Sequence, residues 1–193
     1  DHLAARPMNE LIDLGPNTAH MNQKPENPFK PGDRVVKSED DEPSVGVVVE
    51  VMPPEKNIGA YGQTIDGEAV RVAFPSDLDK GPGDWRSYHP AILASYCDDT
   101  DIKLWTYKHE NLDFAPNPYV PGDRVFKTSH NDPDTAVVVL CPDGAGGQEV
   151  TVAYLGEFDD EEVWPSKLAD HCEENGIKCY TYDHSEIEFE GAS

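Results

Sequence analysis

The chain has 193 residues and is strongly acidic, with 38 Asp and Glu residues against 15 Lys and Arg residues and a net charge of −23. That is roughly three times the upper end of the net charge that keeps a small domain soluble. In dilute buffer so many negative side chains repel one another and destabilise the compact state. In molar salt the Debye length falls to about 3 Å and screens the repulsion. The acidic residues are spread along apolar-patterned segments rather than held in one disordered block. The composition predicts a halophilic origin, in the cytoplasm or in a virus particle of a halophile; a basic partner is the alternative explanation.

The same charge bears on two classes of partner. A negative surface repels phosphate backbones, and basic residues such as Arg34 and Arg124 form no cluster, so nucleic acid is not expected as a partner. No apolar stretch approaches the length of a membrane span, and residues 1–23 lack the apolar segment of a signal peptide. The four cysteines have neither the number nor the spacing of a disulfide framework.

Residues 1–26 are predicted to form an N-terminal arm, because they show no strand pattern. Within the arm, Met8 to Leu14 is predicted to form one short helical turn that has Leu11, Ile12 and Leu14 on its apolar side. A segment of this composition does not fold alone. We therefore expect these three residues to contact another protein subunit of an assembly.

An internal repeat follows the arm. The segment 27–37 matches 117–127 at eight of eleven positions, including Asn-Pro and Pro-Gly-Asp-Arg-Val. The offset between the copies is 90 here, falls to 80 where Val70 matches Val150, and falls to 75 where Cys97 matches Cys172. Length changes occur in surface loops, so the two drops predict loops near residues 53–68 and 78–89. The repeat divides the chain into modules at 27–115 and 116–193.

Each copy has the same order of predicted elements: a Pro-Gly-Asp turn, a short strand, a long β-branched strand, a third strand, one helix and a closing strand. In the first copy the strands and helix are predicted at Asp33–Lys37, Val45–Met52, Val70–Phe74, Pro90–Cys97 and Ile102–Tyr107. In the second copy they are predicted at Asp123–Lys127, Thr135–Cys141, Val150–Tyr154, Ser166–Glu174 and Ile177–Tyr182. Alternation in the third strand places its valines inward and Arg71 and Ala73 outward.

The opening Pro-Gly-Asp-Arg-Val and the Val-rich second strand resemble the SH3-like barrels of the KOW, Tudor and similar modules. The resemblance covers about 85 residues of each copy. It implies a mainly β fold of two tandem small barrels, each with one short helix. It does not bring a ligand site with it, because no aromatic cage of the Tudor type can be placed on this sequence, and a shared fold does not imply a shared function.

A cysteine and a histidine recur at the same spacing, as Cys97 with His109 and Cys172 with His184. A zinc site needs four ligands, and neither copy contains a close cysteine pair. A Cys–His nucleophile would need a complete pocket in each small module. We therefore predict that the cysteines are small apolar residues on the buried face of the helix, and we predict no catalytic residue, metal or cofactor.

Two other charged features have ordinary explanations. Asp33 and Asp123 are expected to accept hydrogen bonds within their own turns, while Arg34 and Arg124 pack along the barrel edge. The acidic run 157–162 lacks the spaced oxygens and the glycine of a calcium loop, so it is predicted to be a solvated loop.

Aromatic residues near the variable loop and the closing strand are the predicted contact surface, because aromatic side chains anchor interfaces. They are Trp85, Tyr88, Trp105, Tyr107, Trp164, Tyr180 and Tyr182. Strand alternation assigns about half of such residues to the core. The loop 78–89 exists in full only in the first copy, so Trp85 and Tyr88 are predicted to contact a partner, together with Trp105 and Trp164.

The sequence therefore predicts a non-catalytic interaction protein or a structural component of a larger assembly, such as a virus particle. Its predicted partners are other protein subunits, bound through the arm and the loop 78–89. Two alternatives stay open: a nucleic-acid- or ribosome-associated binding protein of the KOW type, and, least favoured, a small metalloenzyme or hydrolase.

Overall fold

A computed structural model describes residues 26–52, 69–129, 134–159 and 162–190 of the chain. In these residues the chain forms two five-stranded antiparallel sheets, one in each predicted module. The prediction of a mainly β fold is confirmed. The arm with Leu11, Ile12 and Leu14 and the predicted loop 53–68 lie outside the described residues.

The first sheet has the strand order β4-β3-β2-β1-β5. Its strands are β1 (Arg34–Lys37), β2 (Gly46–Met52), β3 (Ala69–Ala73), β4 (Trp105–Lys108) and β5 (Leu112–Phe114). Between β3 and β4 lie a short helix α1 (Pro75–Leu78) and a longer helix α2 (Leu93–Asp99). The fifth strand returns to pair with the first, so β4 and β5 are the edges.

The second sheet repeats this topology as β10-β6-β7-β8-β9. Its strands are β6 (Arg124–Lys127), β7 (Ala136–Leu140), β8 (Glu149–Tyr154), β9 (Tyr180–Asp183) and β10 (Ile187–Phe189), and helix α3 (Leu168–Asn175) precedes β9. Even the irregularities match, since the register shifts after Val48 in β2 and after Val138 in β7. A bulge increases strand twist and curls a sheet, and both sheets curl around a core without closing in the described residues.

Single turns of 3₁₀ helix connect the larger elements. They lie at Trp85–Ser87, Pro90–Ile92, His109–Asn111, Gly144–Gly146, Leu155–Glu157, Pro165–Lys167 and His184–Glu186. The predicted helices at 90–97 and 166–174 are therefore each a 3₁₀ turn followed by an α-helix. The proline that starts each segment fixes φ for the first turn, and a left-handed Gly176 ends α3.

Each sheet buries apolar residues on both faces. In the first module Val35, Val48 and Val70 lie inside the curl, whereas Val47 and Ala73 pack under α2 on the outer face. Ala73 lies on the outward face, as alternation predicts, and helix α2 covers that face and leaves Ala73 fully buried.

Candidate functional site

The two modules meet around the carboxylate of Asp123, which is only 1% exposed. Arg34 of the first module donates from both terminal nitrogens to this carboxylate, at 3.1 Å each. Arg86 of the first module donates from Nε to the Asp123 Oδ1 at 2.8 Å. A bidentate arginine fixes direction as well as distance, so this cluster sets how one module sits on the other.

Backbone carbonyls of the second module complete the same cluster. Arg34 donates to the carbonyl of Pro118 at 3.2 Å, and Arg86 donates to the carbonyl of Pro121 at 2.9 Å. The next residue is Gly122, with a φ of +96°, where an added Cβ would meet Arg86 at 3.0 Å. A glycine is thus needed here both for the backbone conformation and for the close approach of the guanidinium.

The loop that supplies Arg86 also buries a tryptophan. Trp85 is 4% exposed, and its indole Nε1 donates to Asp79 at 2.8 Å. The guanidinium groups of Arg86 and Arg34 lie 4.4 and 5.2 Å from the ring centre, within the range of a cation–π contact. The expectation of an exposed Trp85 is wrong, because the ring is enclosed between its own module's core and two arginines that reach the second module.

The charges in this cluster are balanced. Burial lowers the pKa of Arg86, but the carboxylates of Asp123 and Asp79 outweigh it and raise the pKa above its usual value. Arg86 also donates to Asp79 at 2.8 Å, so two arginines share two carboxylates. A buried ion pair is tolerated only when its hydrogen bonds are satisfied in this way.

An apolar contact lies beside the charged one. Val36 and Val45 of the first module form a cluster with Ala145 of the second, and Ala115 of the first module and Val120 of the second pack against it. The interface therefore has an apolar part and a polar part, which is the usual composition of a specific contact.

A cleft of about 720 Å³ opens next to the cluster, mainly on the second module. Its apolar lining comes from Val137, Leu155, Phe158, Val163, Trp164 and Leu168, and its charged lining from Asp79, Asp84, Arg86, Arg124, Asp159 and Glu162. Trp164 is 60% exposed, the largest exposed fraction among the exposed large apolar residues of the described chain. The cleft is therefore a concave surface on which apolar and charged side chains can meet the same ligand.

A family model, described as the DUF7961 C-terminal domain, matches residues 32–113 and again residues 122–188. The two segments make up more than half of the chain. The chain belongs to this family. No curated protein matches the chain, and the family description carries no function. The double match places one copy of the domain on each sheet.

The other predicted contact residues lie on different parts of the two DUF7961 C-terminal copies. Tyr88 is half-buried against Tyr96, with ring centres 5.2 Å apart. Trp105 is 39% exposed on the edge strand β4, where Lys103 lies 3.8 Å from its ring centre. Of the predicted contact residues that the structure describes, Trp85 and Trp164 line the cleft and the others do not. Their contact with a partner stays a prediction.

The two recurring cysteines belong to helices α2 and α3. Cys97 and Cys172 are buried in the cores under α2 and α3. Burial raises the pKa of Cys97 to about 11 and that of Cys172 to about 12. No group of three or more potential metal ligands occurs in the described part of the chain. In the same residues no helix is long and apolar enough to cross a membrane.

Sequence reasoning missed the Asp123 cluster. Asp33 and Asp123 do accept from the backbone of Lys30 and Val120, at 2.9 and 2.8 Å, as the turn chemistry predicts. Arg34, however, crosses to the other module instead of packing along its own barrel edge. The sequence did contain one sign of this cluster. The loop 78–89, which supplies Arg86, is complete in the first copy and five residues shorter in the second.

Replacing Asp123 by Asn tests the cluster. Asn keeps the acceptor for the Val120 amide but removes the charge that two buried guanidinium groups share. We expect the free energy of unfolding in molar KCl to fall by about 3 kcal/mol, measured by urea denaturation. The matched variant is Asp33→Asn, which has the same turn but no ion pair in the described residues, and it should cost less than about 0.5 kcal/mol. Equal losses in the two variants would contradict the assignment.

Thiol labelling tests the cysteine assignment. Because burial raises the pKa of Cys97 and Cys172, their thiolates are scarcely populated at pH 8, and thiolate is the reactive form. We expect iodoacetamide to label the exposed Cys179 in the native chain and to label Cys97 and Cys172 only after unfolding, as read by peptide mass mapping. Fast labelling of native Cys97 would instead support a reactive Cys–His pair.

Proposed function

We propose that this chain is a non-catalytic interaction protein, in which two SH3-like modules are held as one body and bind a protein subunit of a larger assembly in a halophilic system. Cytoplasm and virus particle are the proposed locations, and the net charge of −23 supports them. The observation that carries the proposal is the cleft lined by Trp164, a largely exposed tryptophan on a concave surface of mixed apolar and charged side chains.

The strand arrangement supports the SH3-like assignment. In each module four strands follow one another in a meander, and the fifth returns to pair with the first. A 3₁₀ turn separates the fourth and fifth strands in both copies, at His109–Asn111 and His184–Glu186. A fifth strand that returns to the first brings the two ends of the strand order towards each other, as a small barrel requires.

The charges at the cleft support a protein partner over a nucleic acid. Asp84, Asp159 and Glu162 line it, and of its two arginines the largely buried Arg86 is already paired with Asp123 and Asp79. The other, Arg124, is exposed, so the carboxylates of the cleft outnumber the cations that could meet a phosphate. Phosphate binding needs unpaired cations. The buried thiols and the raised pKa of Cys97 likewise give no support to a hydrolase.

Truncating Trp164 tests the proposal. The full chain is immobilised in molar KCl and used to capture proteins from its source cells, and the bound proteins are compared between wild type and Trp164→Ala. We expect the variant to lose a protein that wild type retains, because truncating a central tryptophan of an interface costs more than about 2 kcal/mol.

The matched control is Phe114→Ala, which removes a ring that is 53% exposed on the edge strand β5. It should retain the same protein. Identical captured proteins for wild type and Trp164→Ala, or no capture beyond bare resin, would overturn the proposed role of the cleft.

A further inference from the structure

The first module contains a complete binding site for a tryptophan side chain, occupied by its own Trp85. The indole belongs to one apolar cluster with Val47, Leu78 and Leu93. Its Nε1 donates to Asp79, and Arg34 lies over its face. Apolar walls, an acceptor for the indole N–H and a cation over the ring are the three features that hold a buried tryptophan.

The second module repeats the parts of this site. Arg124 pairs across the strands with Val137 as Arg34 does with Val47. Helix α3 starts at Leu168 as α2 starts at Leu93, each after a proline-led 3₁₀ turn. The offset of 80 that relates Val70 to Val150 also relates Leu78 and Asp79 to Phe158 and Asp159. Five residues of the second module therefore correspond to residues that surround Trp85 in the first: Arg124, Val137, Phe158, Asp159 and Leu168.

No residue of the second module corresponds to Trp85. The connection from Asp159 to Trp164 is five residues shorter than the connection from Asp79 to His89, and the missing residues are those that carry the tryptophan. Trp164 is not its replacement, because it precedes Pro165 as His89 precedes Pro90 and corresponds to His89.

The cleft occupies the place that the missing tryptophan would fill. All five repeated residues line it, and so do Trp85 and Arg86 from the loop of the first module. The side chain of Asp79 is 14% exposed where it accepts from Trp85, whereas Asp159 is an exposed residue. The cleft is therefore continuous with the module interface. Its hydrogen-bond acceptor, the carboxylate of Asp159, is open to solvent.

We propose that this cleft binds a tryptophan side chain of a partner protein. The inference rests on the proposed function, since it names the chemistry of the partner. The indole packs on Val137, Phe158 and Leu168, donates its N–H to Asp159 and receives the guanidinium of Arg124 on its face. A basic residue next to the tryptophan pairs with Asp84 or Glu162, as Arg86 next to Trp85 pairs with Asp123.

The chain's own loop supplies the probe. A peptide with the sequence of Gly83–Ser87 (Gly-Asp-Trp-Arg-Ser) is titrated into the isotopically labelled full chain in molar KCl, in parallel with the same peptide carrying alanine in place of tryptophan. We expect saturable NMR shifts at the Val137 and Leu168 methyl groups and at the Trp164 indole N–H. The alanine peptide should bind at least about tenfold more weakly.

Two exposed side chains of the cleft give variants that leave the core intact. Asp159→Asn and Arg124→Gln should each weaken the tryptophan peptide about threefold or more, because one loses the charged acceptor and the other the cation on the ring. The matched controls are Asp170→Asn and Lys178→Gln, exposed residues that do not line the cleft. They should leave binding unchanged.

Three results would overturn the inference: equal binding of the two peptides, shifts confined to residues outside the cleft, or equal weakening by the control variants. None of them affects the proposed function, which depends on loss of a captured protein in Trp164→Ala. If Trp164→Ala loses the partner while the peptide does not bind, the cleft is a contact surface for a partner that presents no tryptophan there.

Discussion

The arrangement of the two modules depends on one buried carboxylate. Asp123 is nearly inaccessible to water, and two guanidinium groups from the other module share it. Such an ion pair adds little net stability, because removing the charges from water costs about as much as their attraction returns. Any arrangement that leaves Asp123 buried without both arginines is much less favourable. The cluster therefore selects one relative position of the modules. The apolar contact around Val36 and Ala145 adds buried apolar area to the same interface.

The two modules can be held in this one relative position only because the two copies of the repeat differ in sequence. Arg34 and Arg124 are equivalent, as are Asp33 and Asp123, yet only Arg34 and Asp123 form an ion pair with each other in the described residues. The difference lies in the loop 78–89, which brings Arg86 to Asp123 and encloses Trp85. A loop can change length without disturbing the sheet beneath it, so the copies diverged in contact surface while keeping the same strand order and even the same bulge.

Most of the fold within each module follows from local pattern, and the interface does not. Alternation and β-branched runs predicted eight of the ten strands to within about three residues at each end, because strand pairing inside a small module leaves few other ways to bury valines. The two short closing strands, β5 and β10, were not predicted. The sequence did not show that helix α2 covers the outward face of Ala73 and buries it. The loop 78–89 was singled out for a sound reason, its presence in full in one copy only, but the sequence could not show that its Arg86 contacts the chain's own second module.

The contact that the first module makes to the second cannot be made in turn by the second module with the corresponding residues. The contact is heterologous, since the first module contributes Arg34 and Arg86 and the second contributes Asp123, and a heterologous contact between identical units continues indefinitely unless the rotation closes a ring. Here the second module has the equivalent of Arg34 but not the Trp85–Arg86 loop that completes the contact. The corresponding residues of the first module supply one of the two guanidinium groups of the contact and two of its five guanidinium hydrogen bonds. The shorter connection also leaves the cleft beside Trp164 open, so the asymmetry of the module contact and the open cleft share one cause.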